Sequence, residues 1–191
     1  MKRKPKNPIH KVRTGSGDAG TTYLRTVGVP KSDPIVQFAG DVDEALCAMA
    51  KAKIRRMPAT CETVDVQLSM IKMHNASIEL MFQIGAMIHN TALIEEHGGL
   101  LSNYVDDVTT RMSIIIESAS EQRTLIPLEG FIVPDDDNVN EMLARAVIRR
   151  AERSAVISDS MWAVPALNTM SDLFFLIAWH NSVSCKQWTG F

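Results

Sequence analysis

Four arginines and one glutamate fall within nine residues: Arg145, Arg149, Arg150, Glu152 and Arg153. The segment around them predicts a helix. At about 100° per residue, Leu143, Ala144, Val147, Ile148, Ala151 and Ala155 share one arc, which can face a core. Arg145, Arg149 and Glu152 share another arc, with Arg153 beside them. A guanidinium is a rigid fork of donors that matches phosphate and carboxylate oxygens. The plain alternative is a solvated helix face carrying i,i+3 and i,i+4 ion pairs, each worth roughly 0.2–0.5 kcal/mol.

The second stretch with chemical potential is Thr14-Gly15-Ser16-Gly17-Asp18-Ala19-Gly20-Thr21-Thr22. It contains G-x-G-x-x-G, but a dinucleotide fingerprint needs an apolar strand before it and a helix after it. Here a basic tail precedes the glycines, and Gly28 and Pro30 follow, so that reading fails. Such a loop can still wrap phosphates with its backbone N–H groups, with Ser and Thr hydroxyls as added donors. A plain flexible loop has the same composition.

The elements that must position these residues read as helices. The chain has 191 residues, 46% hydrophobic and 22% charged, with a formal net charge of −2. That suits one globular domain and supplies no global field for nucleic acid. Few aromatics, at 6%, and few β-branched runs favour helix over sheet. The organisation expected is a basic flexible tail over 1–11 and a single domain over 12–191. Residues 12–40 show no sustained periodicity. A helix is expected from Asp41 to about Arg56, its acids in the first turn, and a second from about Thr63 to Asn90 with a stripe of Val66, Met70, Met73, Ser77, Leu80, Met81, Ile84 and Met87. Gly98-Gly99 reads as a break, followed by a third helix from Leu101 to Ser118. The arginine helix is fourth. A fifth starts near Pro165, and polar Asn168, Ser171 and Asp172 interrupt its apolar surface. The reading is all-α, a five-helix up-and-down bundle. His74 and His89 read as structural. His97 beside Glu95 and Glu96 is a helix-end cluster before it is a metal site, so no protein metal site is assigned. Three scattered cysteines point to a reducing compartment, and the location expected is cytoplasmic. No apolar run of membrane-spanning length is expected, and neither membrane nor nucleic acid is assigned as a partner.

Taken in order, these stretches resemble the PduO-type ATP:cob(I)alamin adenosyltransferases. The residues that carry the resemblance are the glycine loop, Lys31-Ser32-Asp33-Pro34, Gly40-Asp41-Val42-Asp43-Glu44 and Leu80 to Gly85. Further along they are Phe131-Ile132-Val133-Pro134, Ala144-Arg145 through Arg153, and Leu167-Asn168 with Ser171-Asp172-Leu173-Phe174. The resemblance implies a ferritin-like, cobalamin adenosyltransferase-like bundle that forms a homotrimer with sites at subunit interfaces. It implies transfer of the 5′-deoxyadenosyl group of ATP to the cobalt of cob(I)alamin, assisted by Mg²⁺, with triphosphate leaving. A corrinoid reductase or an adenosylcobalamin-dependent acceptor enzyme are the implied protein partners.

By the same resemblance, Thr14, Gly15, Ser16 and Gly17 lie along the ATP phosphates, with Thr22 and Tyr23 close by. Lys31 lends a charge. Arg149, Arg150, Ala151, Glu152 and Arg153 meet the phosphates, and Asn168 contacts the nucleotide. Asp43 and Arg145 form an intersubunit ion pair beside the corrinoid, and Phe131 keeps the cobalt free of its lower axial ligand. Arg149, Phe131, Asp43 and Arg145 are the residues implied in catalysis. The chain departs from the family pattern at Gly15 and Ala19, where basic residues are usual, at Ile35 and Ala45-Leu46, at Asp135-Asp136 in place of Gly-Gly, and at Thr169. A relative that binds ATP or corrinoid as a carrier or regulator, with weak turnover, is the alternative reading.

Overall fold

The structure is a computed structural model and describes residues 15, 17–54, 61–122, 128–182 and 187–189, with only the backbone of 61–63 and 119–122. A two-stranded antiparallel hairpin comes first, β1 (Thr21–Leu24) and β2 (Val27–Pro30). Five helices follow: α1 (Pro34–Lys51), α2 (Cys61–His89), α3 (Ala92–Gln122), α4 (Val139–Ile157) and α5 (Val164–Asn181). Two short strands, β3 (Phe131–Ile132) before α4 and β4 (Gln187–Trp188) after α5, pair antiparallel.

Cross-links fix the directions. Arg150 and Ser154 of α4 meet Asp41 of α1, while Glu141 near the start of α4 accepts the Lys53 N–H just past the end of α1 at 2.7 Å. The two helices are therefore antiparallel. Asn181, closing α5, donates to the Lys53 carbonyl at 2.7 Å, and Asn138 before α4 donates to Ser182 at 3.0 Å. The helices alternate in direction. One end of the bundle, the near end, carries the glycine loop, the hairpin, the start of α1, the α2–α3 junction and the α4–α5 turn. The far end carries the end of α1, the start of α4 and the β3–β4 pair. Between them lies the length of α1, 18 residues, or about 27 Å at about 1.5 Å per residue.

The core justifies the helical stripes. Met70, Met73, Ser77, Leu80, Met81, Ile84 and Met87 of α2 are buried, as are Tyr104, Val108 and Ile115 of α3. On α4, small Ala144, Ala151 and Ala155 are fully buried and allow close approach to α1 and α5. Leu143, expected on that arc, is 49% exposed because it lies at the arc's edge, past the contact with α1 and α5. α5 is buried on most sides, which explains its apolar run. Together with the 3-10 turn at Met161–Ala163 it is long and apolar enough to cross a membrane, contrary to expectation, but most of that window is packed inside the bundle.

Other boundaries also move. α1 starts at Pro34, with Asp33 as its cap: the Asp33 carboxylate accepts the Ile35 N–H at 3.0 Å, and Pro34 gives up no needed donor at the first turn. Asp41, Asp43 and Glu44 therefore lie in mid-helix. Gly98 and Gly99 sit inside α3, where Gly98 instead gives room to a cleft against Trp162 and Pro165. Residues 21–30 form a hairpin where no periodicity was expected. Its two-residue turn, Arg25-Thr26, takes φ of 50° and 67° without a glycine. Arg25 holds the hairpin to the near end by donating to the Ile88 carbonyl at 2.8 Å.

Candidate active site

The glycine loop is a pair of successive turns. Gly15 accepts from the Asp18 N–H and Gly17 from the Gly20 N–H, both at 3.2 Å, and the Gly20 carbonyl accepts the Lys31 N–H at 2.9 Å. Gly15 and Gly20 have φ of +70° and +80°, a region that disfavours side chains. At Gly17 the reason is contact: a Cβ would come within 3.0 Å of Lys31 Cε and Nζ. The Lys31 side chain thus lies over the loop and gives it a positive charge. Thr22 is half-buried and Tyr23 is 70% exposed on the strand that follows. Thr14 and Ser16 lie outside the described residues.

On α4, the arginines divide into two groups. Arg150 faces α1. Its guanidinium bonds to Asp41 Oδ1 at 3.2 Å and to the Glu44 carboxylate, and these bonds raise its pKa, that with Glu44 most. Asp41, 3% exposed, also accepts from Ser154 Oγ and from Gln37 Nε2. Arg150, expected on the nucleotide, is held in this subunit by internal carboxylates. Ala151, also expected on the nucleotide, is fully buried and turns no side chain outward.

Arg145, Arg149 and Arg153 follow one another at four-residue spacing on the other face, with Glu152 half-buried beside them. Among the described residues none of these has an ion-pair partner within the chain. Arg145 lies over the Phe175 ring, 5.3 Å from its centroid, with its Nε buried and without an acceptor. Burial and then the charge of Arg149 push its pKa down, and Asp172 pulls it back up. Two guanidiniums that repel each other beside an unfilled donor make a place where an anion is favoured. Asp172 and Phe175 also border a cleft of about 360 Å³ between α3 and α5, walled by Met112, Ile116, Leu128 and Trp179. Asn168 and Asp172 are exposed, so only Ser171 of the three α5 polar residues is buried in the seam, its hydroxyl without a partner.

Asp43 is exposed on α1 and, among the described residues, unpaired within the chain. Phe131, 71% exposed, stands at the far end, a bundle length from the glycine loop. One subunit therefore brings together Lys31 with the loop, and Arg145 with Arg149, but does not bring Phe131 to the loop or Asp43 to Arg145.

The comparisons with known proteins bear on this arrangement. The family model for cobalamin adenosyltransferase matches residues 12–181. The chain belongs to this family. Corrinoid adenosyltransferases of Mycobacterium bovis and Mycobacterium tuberculosis are each 29% identical to it over 184 residues, covering 89% of this chain and 88% of theirs. Among solved structures, it is similar to an arginine-to-lysine variant of the PduO-type adenosyltransferase of Lactobacillus reuteri complexed with ATP, with a TM-score of 0.57 and 20% identity over 88% of this chain and 92% of that one. A phenylalanine-to-histidine variant of the same enzyme, complexed with cobalamin and ATP, aligns at a TM-score of 0.57 and 21% identity over 88% of this chain and 89% of that one. These likenesses establish the five-helix fold as that of the family.

Sequence reasoning missed four residues of this arrangement. Asp41 looked like a helix-opening acid, and only its place in the α1–α4 seam makes it the anchor of Arg150. Phe175 looked like core. Gln187 and Trp188 carry no periodic signal, since a two-residue strand is defined only by its partner.

Proposed function

We propose that the protein is an ATP:corrinoid adenosyltransferase working as a homotrimer with sites between subunits. In this reaction the electron pair of reduced cobalt attacks C5′ of ATP and becomes the cobalt–carbon bond, while the C5′–O bond breaks and triphosphate leaves with the pair of the broken bond. The nucleophile arrives with the corrinoid substrate, so the chain's task is to hold the triphosphate, aim C5′ and exclude water.

The observation that carries the reading is the division of the α4 arginines. The chain neutralises Arg150 with two carboxylates and leaves Arg145 and Arg149, among the described residues, without an ion pair, Asp172 exerting only a longer-range pull on Arg145. Two neighbouring guanidiniums without ion pairs fit a multiply charged anion. Lys31 over the glycine loop is the second half of that anion site. Since the loop and Phe131 lie at opposite ends of one subunit, a neighbouring copy must supply the missing half, and closed cyclic symmetry gives every subunit a neighbour. Asp43 would meet Arg145 across that boundary. Among the described residues no three His, Cys, Asp or Glu side chains gather as a metal site, so in this reading Mg²⁺ comes with the triphosphate. A reducing cytoplasm, a reductase to supply reduced corrinoid and an acceptor for the product fit the same chemistry.

One observation favours a second reading, a carrier or regulator that binds the ligands without turnover. Gly15 and Ala19 place no cation on the loop, so among the described residues Lys31 is the cation that lies over it. An anaerobic single-turnover assay with ATP and chemically reduced cobalamin separates the two. The transferase yields the spectrum of a cobalt–carbon bond. A carrier takes up both ligands and leaves the cobalt unalkylated.

A further inference from the structure

The family match ends at residue 181, yet the chain continues into β4, which reaches back to the strand that carries Phe131. The ladder sets Phe131 opposite Trp188 and Ile132 opposite Gln187. Directly opposed residues project to the same face of a ladder. The Phe131 and Trp188 rings accordingly stand side by side, centroids 6.4 Å apart and tilted by 33°, while Ile132 turns inward and is buried. The lead-in to β3 is held more firmly than a two-residue ladder alone allows. Gln187 Oε1 accepts the N–H groups of both Glu129 and Gly130, at 2.5 and 2.6 Å. Gly130 is where the two segments touch: a Cβ there would lie 2.5 Å from the Trp188 carbonyl oxygen.

An exposed aromatic ring on a short strand is useful only if its backbone is fixed, because a few tenths of an ångström or one rotamer change moves the ring edge off its target. We infer that Gln187 is the positioning residue for Phe131, clasping the Glu129 and Gly130 amides so that the ring stands at a set height against the corrinoid, with Trp188 bracing it. This rests on the transferase reading above, in which Phe131 keeps the lower face of the cobalt free. It assigns to the C-terminal strand the setting of the cobalt's lower coordination, and leaves ATP binding to the near end.

Two variants test it. Gln187→Ala removes the shared acceptor. Gln187→Glu keeps an oxygen that accepts both N–H groups and gains charge assistance. Native-state amide exchange at Glu129 and Gly130 should quicken at least tenfold in Gln187→Ala and stay protected in Gln187→Glu. With ATP and Co(II) cobalamin bound, the four-coordinate fraction read by electron paramagnetic resonance should fall at least fivefold in Gln187→Ala and recover in Gln187→Glu, with ATP affinity unchanged in both. In a Phe131→Ala background, Gln187→Ala should have no further effect on that fraction, which general destabilisation would not reproduce. Wild-type exchange and wild-type Co(II) spectra in Gln187→Ala would overturn the inference, and so would equal damage from Gln187→Glu. If the unaltered protein itself forms neither four-coordinate Co(II) nor a cobalt–carbon bond, the transferase reading fails, and with it the role assigned to Gln187; the exchange result then reports on the clasp alone.

Discussion

Replacing Asp41 with alanine should be among the most damaging single changes in the chain, although its neighbours Asp43 and Glu44 are exposed. Asp41 is 3% exposed and accepts from Arg150, Ser154 and Gln37, tying α1 to α4 across 109 residues of sequence. Hydrogen bonds to a charged group are worth about 1.5–3 kcal/mol each, and a polar group stranded in the core costs about 1–3 kcal/mol. The Arg150 contribution must be discounted, because its side chain is 41% exposed and keeps Glu44. Ser154 recovers part of its loss by bonding back to its own helix. The net is about 2–4 kcal/mol. At about 2–4 °C per kcal/mol for a chain of this size, the melting temperature should drop by roughly 4–16 °C. Circular dichroism melts at one fixed protein concentration measure it, since assembly couples stability to concentration. Asp41→Asn, which keeps an acceptor and loses the charge, should fall between. A melting temperature for Asp41→Ala within about 1 °C of the parent would refute the seam as the anchor of α4.

Sedimentation at micromolar concentration should give a trimer, and a clean monomer would remove the intersubunit site. Arg149→Ala should weaken ATP binding tenfold or more in calorimetric titration, whereas Arg111→Ala, which loses only an exposed i,i+4 pair with Asp107, should leave it unchanged. Asp43→Arg and Arg145→Asp should each impair assembly and the charge-swapped double variant should recover part of the loss; additive damage in the cycle would exclude direct pairing. Asp136→Ala should leave stability within about 0.5 kcal/mol, because the loop's bonds are made by Asp135 and Asn138 rather than Asp136, and a faster transfer in that variant would identify its carboxylate as an obstacle beside the corrinoid.

The bundle was legible where periodicity was strong and single-valued. The methionine stripe of α2 and the alanine face of α4 are patterns that one helix face must bury, and both are buried. Punctuation was less legible because Pro and Gly have two meanings each. Pro34 lay in a stretch read as without periodicity and is the first residue of a helix, and Gly98-Gly99 looked like a break and costs α3 only propensity, about 1 kcal/mol per glycine, which packing of so long a helix overrides. Asp135 was legible only as a departure from the family's glycine. Its carboxylate accepts the Asp137 N–H at 3.0 Å and its own N–H goes to Asn138 Oδ1 at 3.1 Å, so it builds the turn ahead of α4. The arginine cluster was legible as a cluster and not as two groups. Adjacent residues on a helix point about 100° apart, so Arg149 and Arg150 were bound to face different neighbours, but which neighbour carried the acids depended on α1 packing antiparallel to α4.

That split explains how one short sequence serves two ends. An arginine turned to α1 meets Asp41 and Glu44 and becomes part of the frame. An arginine turned away, a single residue earlier, is exposed and, on the proposed function, keeps its charge for a ligand. The frame arginine also spares its neighbour a rival: with its own two carboxylates satisfied internally, Arg150 leaves none of them free to neutralise Arg149. On the proposed trimeric reading, whatever charge the loop lacks would be made up by guanidiniums on a neighbouring copy. On that reading, a chain with Gly15 and Ala19 in place of loop cations should depend more on assembly for binding ATP. Its ATP affinity should rest chiefly on Arg149, which is exposed and without an ion pair among the described residues, while Arg145 is left to pair with Asp43 of a neighbouring copy.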